Sequence, residues 1–112
     1  MDWKVTIAEL ARDDLINIKK YIKFGLQSPN AADKLIKKIK DGIKDLSFMP
    51  ERNPLCDNEI WRKRGLRKLI IDKYIVFYLS VRATKEVIVI TVMYGSRDID
   101  RALNNVDPLL IK

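Results

Sequence analysis

The side chains able to do chemistry in this sequence are cationic and aromatic. It contains no histidine and one cysteine, Cys56. Zinc and related metals want several Cys or His ligands, so the composition predicts no metal site. The four glycines, Gly25, Gly42, Gly65 and Gly95, are isolated, and no Gly-rich phosphate loop can be drawn. With no such loop and no metal ligands, no cofactor is expected. Serine, cysteine and aspartic hydrolase arrangements lack their imidazole or paired carboxylates. One reaction tolerates these restrictions: RNA strand cleavage by the substrate's own 2′-hydroxyl, in which the protein aligns and neutralises a phosphate. Arg67 and Arg97 could hold the phosphorane oxygens, with Lys68 beside them, and an arginine near the leaving oxygen could assist proton transfer. Tyr94 could stack on a base or orient the phosphate; Tyr74, Tyr78 and Trp61 are further stacking candidates. Each has a plainer reading, with Tyr74 and Tyr78 as strand core and Trp61 as edge packing. Tyr94 and Arg97 stand apart, because they flank Gly95 at a strand exit, where side chains leave the core.

The net charge of +7 is unevenly spread. Residues 1–48 hold ten Lys/Arg against seven Asp/Glu, and residues 69–112 hold six against five. The run Ile60-Trp61-Arg62-Lys63-Arg64-Gly65-Leu66-Arg67-Lys68 carries five cations and no anion. Such a field attracts phosphate backbones or an acidic protein surface, making Arg62, Lys63, Arg64, Lys73 and Trp61 candidates for nucleic-acid or partner binding. The same run would also serve as a soluble edge strand that resists aggregation.

The elements that must position these residues follow from periodicity. Trp3, Val5 and Ile7 alternate with polar neighbours and predict a short strand. Ile7, Leu10, Ala11, Leu15, Ile18 and Ile22 recur at helical spacing, with either Thr6 and Glu9 as a capping box or Ala8 as the last residue before the helix, and Gly25 as the stop. Ser28-Pro29 opens a second helix, striped by Ala32, Leu35, Ile36, Ile39, Ile43 and Leu46, slightly weakened by Gly42 and closed by Met49-Pro50. The short connection makes the two an antiparallel hairpin. Residues 50–59 read as a loop, in which Cys56 is an incidental thiol. Leu66 to Ile71, Tyr74 to Val81 and Val87 to Tyr94 are β-branched and aromatic and predict an antiparallel meander. The last two strands are apolar on both faces, so periodicity leaves open which face meets the helices. The second face would be covered by the segment around Leu103, Val106, Leu109, Leu110 and Ile111, or by a partner chain. A short helix is possible near residues 98–104. The expectation is one α+β domain over residues 1–112: a helical hairpin packed on a mostly antiparallel four-stranded sheet, in the order β-α-α-β-β-β.

Several of these segments form a familiar set. The run Ala11-Arg12-Asp13-Asp14-Leu15-Ile16-Asn17-Ile18-Lys19-Lys20-Tyr21-Ile22 resembles the first helix of RelE/ParE-family toxins. Gly65-Leu66-Arg67-Lys68-Leu69, Tyr74-Ile75-Val76-Phe77-Tyr78 and Val89-Ile90-Thr91-Val92-Met93-Tyr94-Gly95-Ser96-Arg97-Asp98-Ile99 are similar to that family's glycine-arginine strand, aromatic strand and terminal strand exit. The resemblance spans roughly residues 3–99. It implies a toxin encoded beside an antitoxin that lays an extended segment over it. The target would be either ribosome-bound mRNA, cut in the RelE manner, or DNA gyrase, poisoned in the ParE manner. Arg67 falls on a catalytic basic position of the RelE-like branch and Arg97 on the arginine after the last strand. Two further phosphate-handling positions fall on Leu69 and Ile75, and the long hairpin leans toward ParE. A protein that keeps antitoxin binding but has lost toxicity is the alternative. An N-terminus without an export signal, the lone cysteine and apolar runs too short to cross a bilayer predict a cytoplasmic protein with no membrane partner.

Overall fold

The computed structural model describes residues 2–106. Strand β1 (Lys4–Ile7) leads into helix α1 (Glu9–Lys20), a π-helical turn (Tyr21–Gly25) and helix α2 (Pro29–Lys44). Two single 3₁₀ turns, Asp45–Ser47 and Pro50–Arg52, precede a short helix α3 (Glu59–Lys63). Strands β2 (Arg67–Ile71), β3 (Tyr74–Val81) and β4 (Glu86–Tyr94) and helix α4 (Ile99–Asn104) complete the fold. The sheet order is β1-β4-β3-β2; β1 runs parallel to β4, and the other two pairings are antiparallel. The expected α+β class, element order and C-terminal helix are all present. None of the described helices is long and apolar enough to cross a membrane.

Which face meets the hairpin is decided by a bulge. Phe77 pairs with Thr91 but Tyr78 pairs with Val89, so Ile90 is an extra residue in β4. Side-chain parity reverses there. Val87, Val89 and Val92 all pack with Ala11, Leu15, Ile36, Ile39 and Ile43 of the hairpin, although Val89 and Val92 are three residues apart. Ile90 and Met93 face the other way, into a second core with Phe77, Cys56, Trp61, Leu66 and Leu103. A two-residue period applied through this strand fails because the strand itself breaks the period.

The second face is therefore covered by α3 and α4. Leu103 and Val106 pack there as expected, while Leu109, Leu110 and Ile111 lie outside the described residues. Helix α3 lies partly in the segment read as loop and partly in the basic run. Asn58 caps it, accepting from the Trp61 amide at 3.0 Å, and its side-chain amide donates to Asp100 and Asn104, clasping α4. Cys56, instead of lying in an open loop, is buried, and burial pushes its thiol pKa up.

Two local expectations are corrected. Ile7 belongs to β1, opposite Val89, and Ala8 is the N-cap of α1, so Thr6 caps nothing. Helix α2 ends at Lys44, before Met49-Pro50. Gly42 also has a packing role: a Cβ there would lie 2.4 Å from the Ile71 Cδ1 atom, so its missing side chain lets α2 settle on β2.

Gly65, just after α3, has φ +89, and a Cβ there would meet nothing within 4 Å. Its requirement is backbone strain alone. Gly65→Ala is expected to lower stability by roughly 1–2 kcal/mol, read as a shifted urea midpoint with an unchanged m-value.

Candidate functional site

Strand β4 outruns its neighbour. β1 stops opposite Val89, so β4 continues toward Tyr94 with its outer edge unpaired by a strand. Asp14, on α1, fills that gap. Its carboxylate accepts from the Thr91 hydroxyl at 2.5 Å and from the Val92 amide at 3.0 Å. Burial pushes the Asp14 pKa up, while these two hydrogen bonds and the nearby Arg97 pull it down; burial prevails.

At the same end of the sheet three segments meet. The Gly95 amide donates to the Lys73 carbonyl at 2.7 Å, joining the β4 exit to the β2–β3 turn. Asp72 in that turn has φ 54 and pairs with Lys38 of α2 at 2.7 Å. Tyr74 and Tyr94 lie edge to face with ring centroids 5.3 Å apart. Between this end of the sheet and the far end of the hairpin lies a groove of about 1110 Å³. Tyr21, Leu26, Tyr74 and Tyr94 supply its apolar wall; Asp14, Asp72, Lys73 and Arg97 supply its charge. Tyr94 and Arg97 are both exposed.

The remaining expected residues are elsewhere. Arg67 begins β2 opposite Tyr78, four ladder positions from the Tyr74–Tyr94 pair, which is roughly 13 Å along the strand. Its guanidinium donates to the Asn53 carbonyl at 2.6 Å, and its buried Nε atom has no partner among the described residues. Tyr78 is fully buried and donates to the Pro50 carbonyl while accepting from Asn53. Arg67 is thus part of a clasp holding the 50–53 segment against the sheet. Lys68, next along β2, points to the opposite face and pairs with Asp57 at 3.1 Å. Arg67, Lys68 and Arg97 therefore share no groove, which corrects the expectation of one cationic catalytic cluster.

Trp61 is corrected too. It is 3% exposed and its indole N–H donates to the Leu103 carbonyl at 2.9 Å, so it cannot stack on a ligand. Arg64 lies over the Trp61 ring at 5.4 Å, and Arg62 and Lys63 are exposed on α3, away from the groove residues. Of the nine expected site residues the groove gathers Lys73, Tyr94 and Arg97, and it adds Asp14, Tyr21 and Tyr74. Asp14 carried a readable signal: it stands four residues after Leu10 and four before Ile18, an acid on the apolar stripe. Among the described residues no three of His, Cys, Asp or Glu are grouped to hold a metal ion.

A helical hairpin packed on a small sheet is the fold of the toxins in the toxin-antitoxin structures to which the chain is similar. The family described as the ParE toxin of type II toxin-antitoxin system, parDE, matches residues 5–99, and the chain belongs to that family. No curated protein matches the chain in sequence. Among solved structures, it is similar to the chromosomal ParDE toxin-antitoxin system from P. aeruginosa, with TM-score 0.68 at 18% identity, over 82% of this chain and 95% of that one. It is also similar to the toxin-antitoxin complex RelBE2 from Mycobacterium tuberculosis, with TM-score 0.59 at 18% identity, over 84% and 99% of the two chains. A free-state arginine-to-alanine mutant of the E. coli toxin RelE gives TM-score 0.64 at 14% identity, over 95% of each chain. At these identities the three structures speak to fold alone.

The Asp14 contacts generate a stability prediction. Asp14→Ala leaves the Val92 amide without its acceptor and is expected to cost about 1–3 kcal/mol, whereas Asp14→Asn keeps an acceptor there and stays close to wild type. Because the folded-state pKa is raised, the native state holds this proton more tightly than the unfolded chain does. The associated stability is fully present below the unfolded pKa and is lost as pH rises through the folded value. Urea unfolding should therefore show wild type losing ground to Asp14→Asn as pH rises from acid toward neutral; a difference that is flat with pH contradicts this.

Proposed function

We propose that this toxin arrests growth in the cytoplasm by inhibiting DNA gyrase, as a binding protein and not as an endoribonuclease, and that an antitoxin segment neutralises it. The observation that carries the reading is the engagement of Arg67. Its guanidinium is bonded to the Asn53 carbonyl, at the far end of the sheet from Arg97. Stabilising a phosphorane requires preorganised donors converging on one oxyanion position. Two arginines separated by four ladder positions do not converge, and the positions expected to add charge are Leu69 and Ile75.

The groove supports a protein ligand. Its wall is aromatic and aliphatic; Asp14 and Asp72 in its lining are engaged by Thr91, Val92 and Lys38, while Arg97 and Lys73 have no carboxylate partner at hydrogen-bond distance among the described residues, a combination that suits an apolar segment bearing carboxylates. The antitoxin's extended segment is assigned to this groove, in keeping with the toxin-antitoxin complexes among the similar structures.

Brief induction, followed by primer extension on several messages and an SOS reporter, tests the reading. Intact messages with SOS induction are expected. Discrete new 5′ ends near ribosomal A sites would return the chain to the endoribonuclease class, and neither response would mean that only antitoxin binding survives. In the same assay Arg97→Ala is expected to abolish growth arrest with an unchanged melting temperature. Arg67→Ala should instead lower the melting temperature and leave the folded fraction toxic.

A further inference from the structure

The hairpin turn departs from ordinary helix geometry. After Lys20 the backbone widens into a π turn, with the Leu26 amide donating to the Tyr21 carbonyl five residues back and the Ser28 amide to the Ile22 carbonyl. The consequence is a change of phase. Ile22 is buried, and in a continuing α-helix Leu26, four residues on, would follow it into the core. Instead Leu26 is 58% exposed, with Phe24 at 67% and Tyr21 at 60%. Gln27 takes up φ 51, a left-handed conformation that is costly for a residue with a Cβ. Short π segments recur at functional positions. Here one holds three large apolar side chains out of the core within six residues.

The turn segment itself carries charge of one sign, although Asp14 and Asp72 line the groove that Tyr21 and Leu26 share. Between Lys19 and Ala32 there are three lysines and no acid. Lys19 is paired with Asp33 at 3.6 Å, but Lys20 and Lys23 have no carboxylate partner among the described residues, and the Lys23 ammonium lies 5.3 Å from the Phe24 ring centroid. Tyr21 and Leu26 line the groove, whereas Phe24 does not. Two of the three side chains thus belong to the groove, and the third stands outside it. A bilayer surface asks for apolar groups that project together toward one plane; an apolar set divided in this way and flanked by ammonium groups fits a shaped protein pocket.

We propose that the hairpin tip, Phe24 with Tyr21 and Leu26 between Lys20 and Lys23, is the target-binding element of this toxin and docks into an apolar pocket with an acidic rim on the target protein. The proposal rests on the gyrase reading for the name of the target, not for the chemistry of the contact. An antitoxin in the groove covers Tyr21 and Leu26 and so masks part of the tip, while Phe24, Lys20 and Lys23 lie clear of it.

The test compares the full-length wild type with Phe24→Ser and with the double variant Lys20→Glu, Lys23→Glu. Readouts are growth arrest in cells, inhibition of gyrase supercoiling, affinity for the antitoxin and thermal melting. Both variants are expected to lose growth arrest and to inhibit gyrase about 30-fold less well, the scale of losing an interface anchor, with antitoxin affinity and melting unchanged. Variants that arrest growth as wild type does overturn the proposal, as does a wild type that neither arrests growth nor inhibits gyrase. If wild type arrests growth but leaves gyrase active, the gyrase reading alone fails and growth arrest by the variants still decides the tip. Loss of wild-type binding to phosphatidylglycerol vesicles on Phe24→Ser, with gyrase inhibition intact, would make the tip a lipid contact and overturn the protein-docking assignment.

Discussion

Strand β4 is apolar on both faces, and the fold is organised around satisfying both. Val87, Val89 and Val92 need the helical hairpin; Ile90 and Met93 need α3 and α4. Each buried aliphatic side chain contributes on the order of 1.5–3 kcal/mol by leaving water, so neither layer is dispensable in a chain of this size. The bulge at Ile90 is what allows one strand to serve both layers on either side of a parity reversal. The site inherits its position from the same strand. β4 extends past β1, its bare edge receives the Asp14 carboxylate, and its exit delivers Tyr94 and Arg97 to the groove.

The two ends of the sheet have been put to different uses. At the β2 start, Arg67 and Tyr78 hold the 50–53 segment by donating to the Asn53 and Pro50 carbonyls, and the Asn53 side chain donates back to the Tyr78 hydroxyl, an arrangement closed to solvent. At the β4 exit, Arg97 and Tyr94 remain open to solvent, and Lys73 is exposed beside them. A buried guanidinium holding a loop is structural chemistry, and an exposed one at the rim of an aromatic groove is recognition chemistry. This division is what motivates the proposal that the toxin acts by binding.

Much of the fold was legible. The stripes Leu10-Ala11-Leu15-Ile18 and Ala32-Ile36-Ile39-Ile43 defined the hairpin because helical burial repeats locally, and β-branched runs marked the three C-terminal strands. The α3 helix was not legible, since five residues show no period and Asn58 reads as a turn residue until its capping bond is seen. Trp61 sat in a run of five cations, and charge drew attention to a side chain whose indole N–H is used inside the second core. Of the site, the Tyr94-Gly95-Ser96-Arg97 exit could be read from chain order and Tyr74 stood among the stacking candidates, while Tyr21, off the apolar stripe, carried no signal of its own.

What the amino-acid sequence determined by itself was the two long helices and the three C-terminal strands, and that one stripe of each of those helices must be buried, because these depend on neighbours within a few residues; its composition alone removes imidazole chemistry. Which cations share a surface was decided only by the tertiary structure. Arg67 and Lys68 are adjacent in the chain but lie on opposite faces of a pleated strand, whereas Lys73 and Arg97, far apart in sequence, meet across the Gly95 hydrogen bond. Strand pairing and the Ile90 bulge set those relations, and both arise from contacts between distant residues that no local pattern encodes.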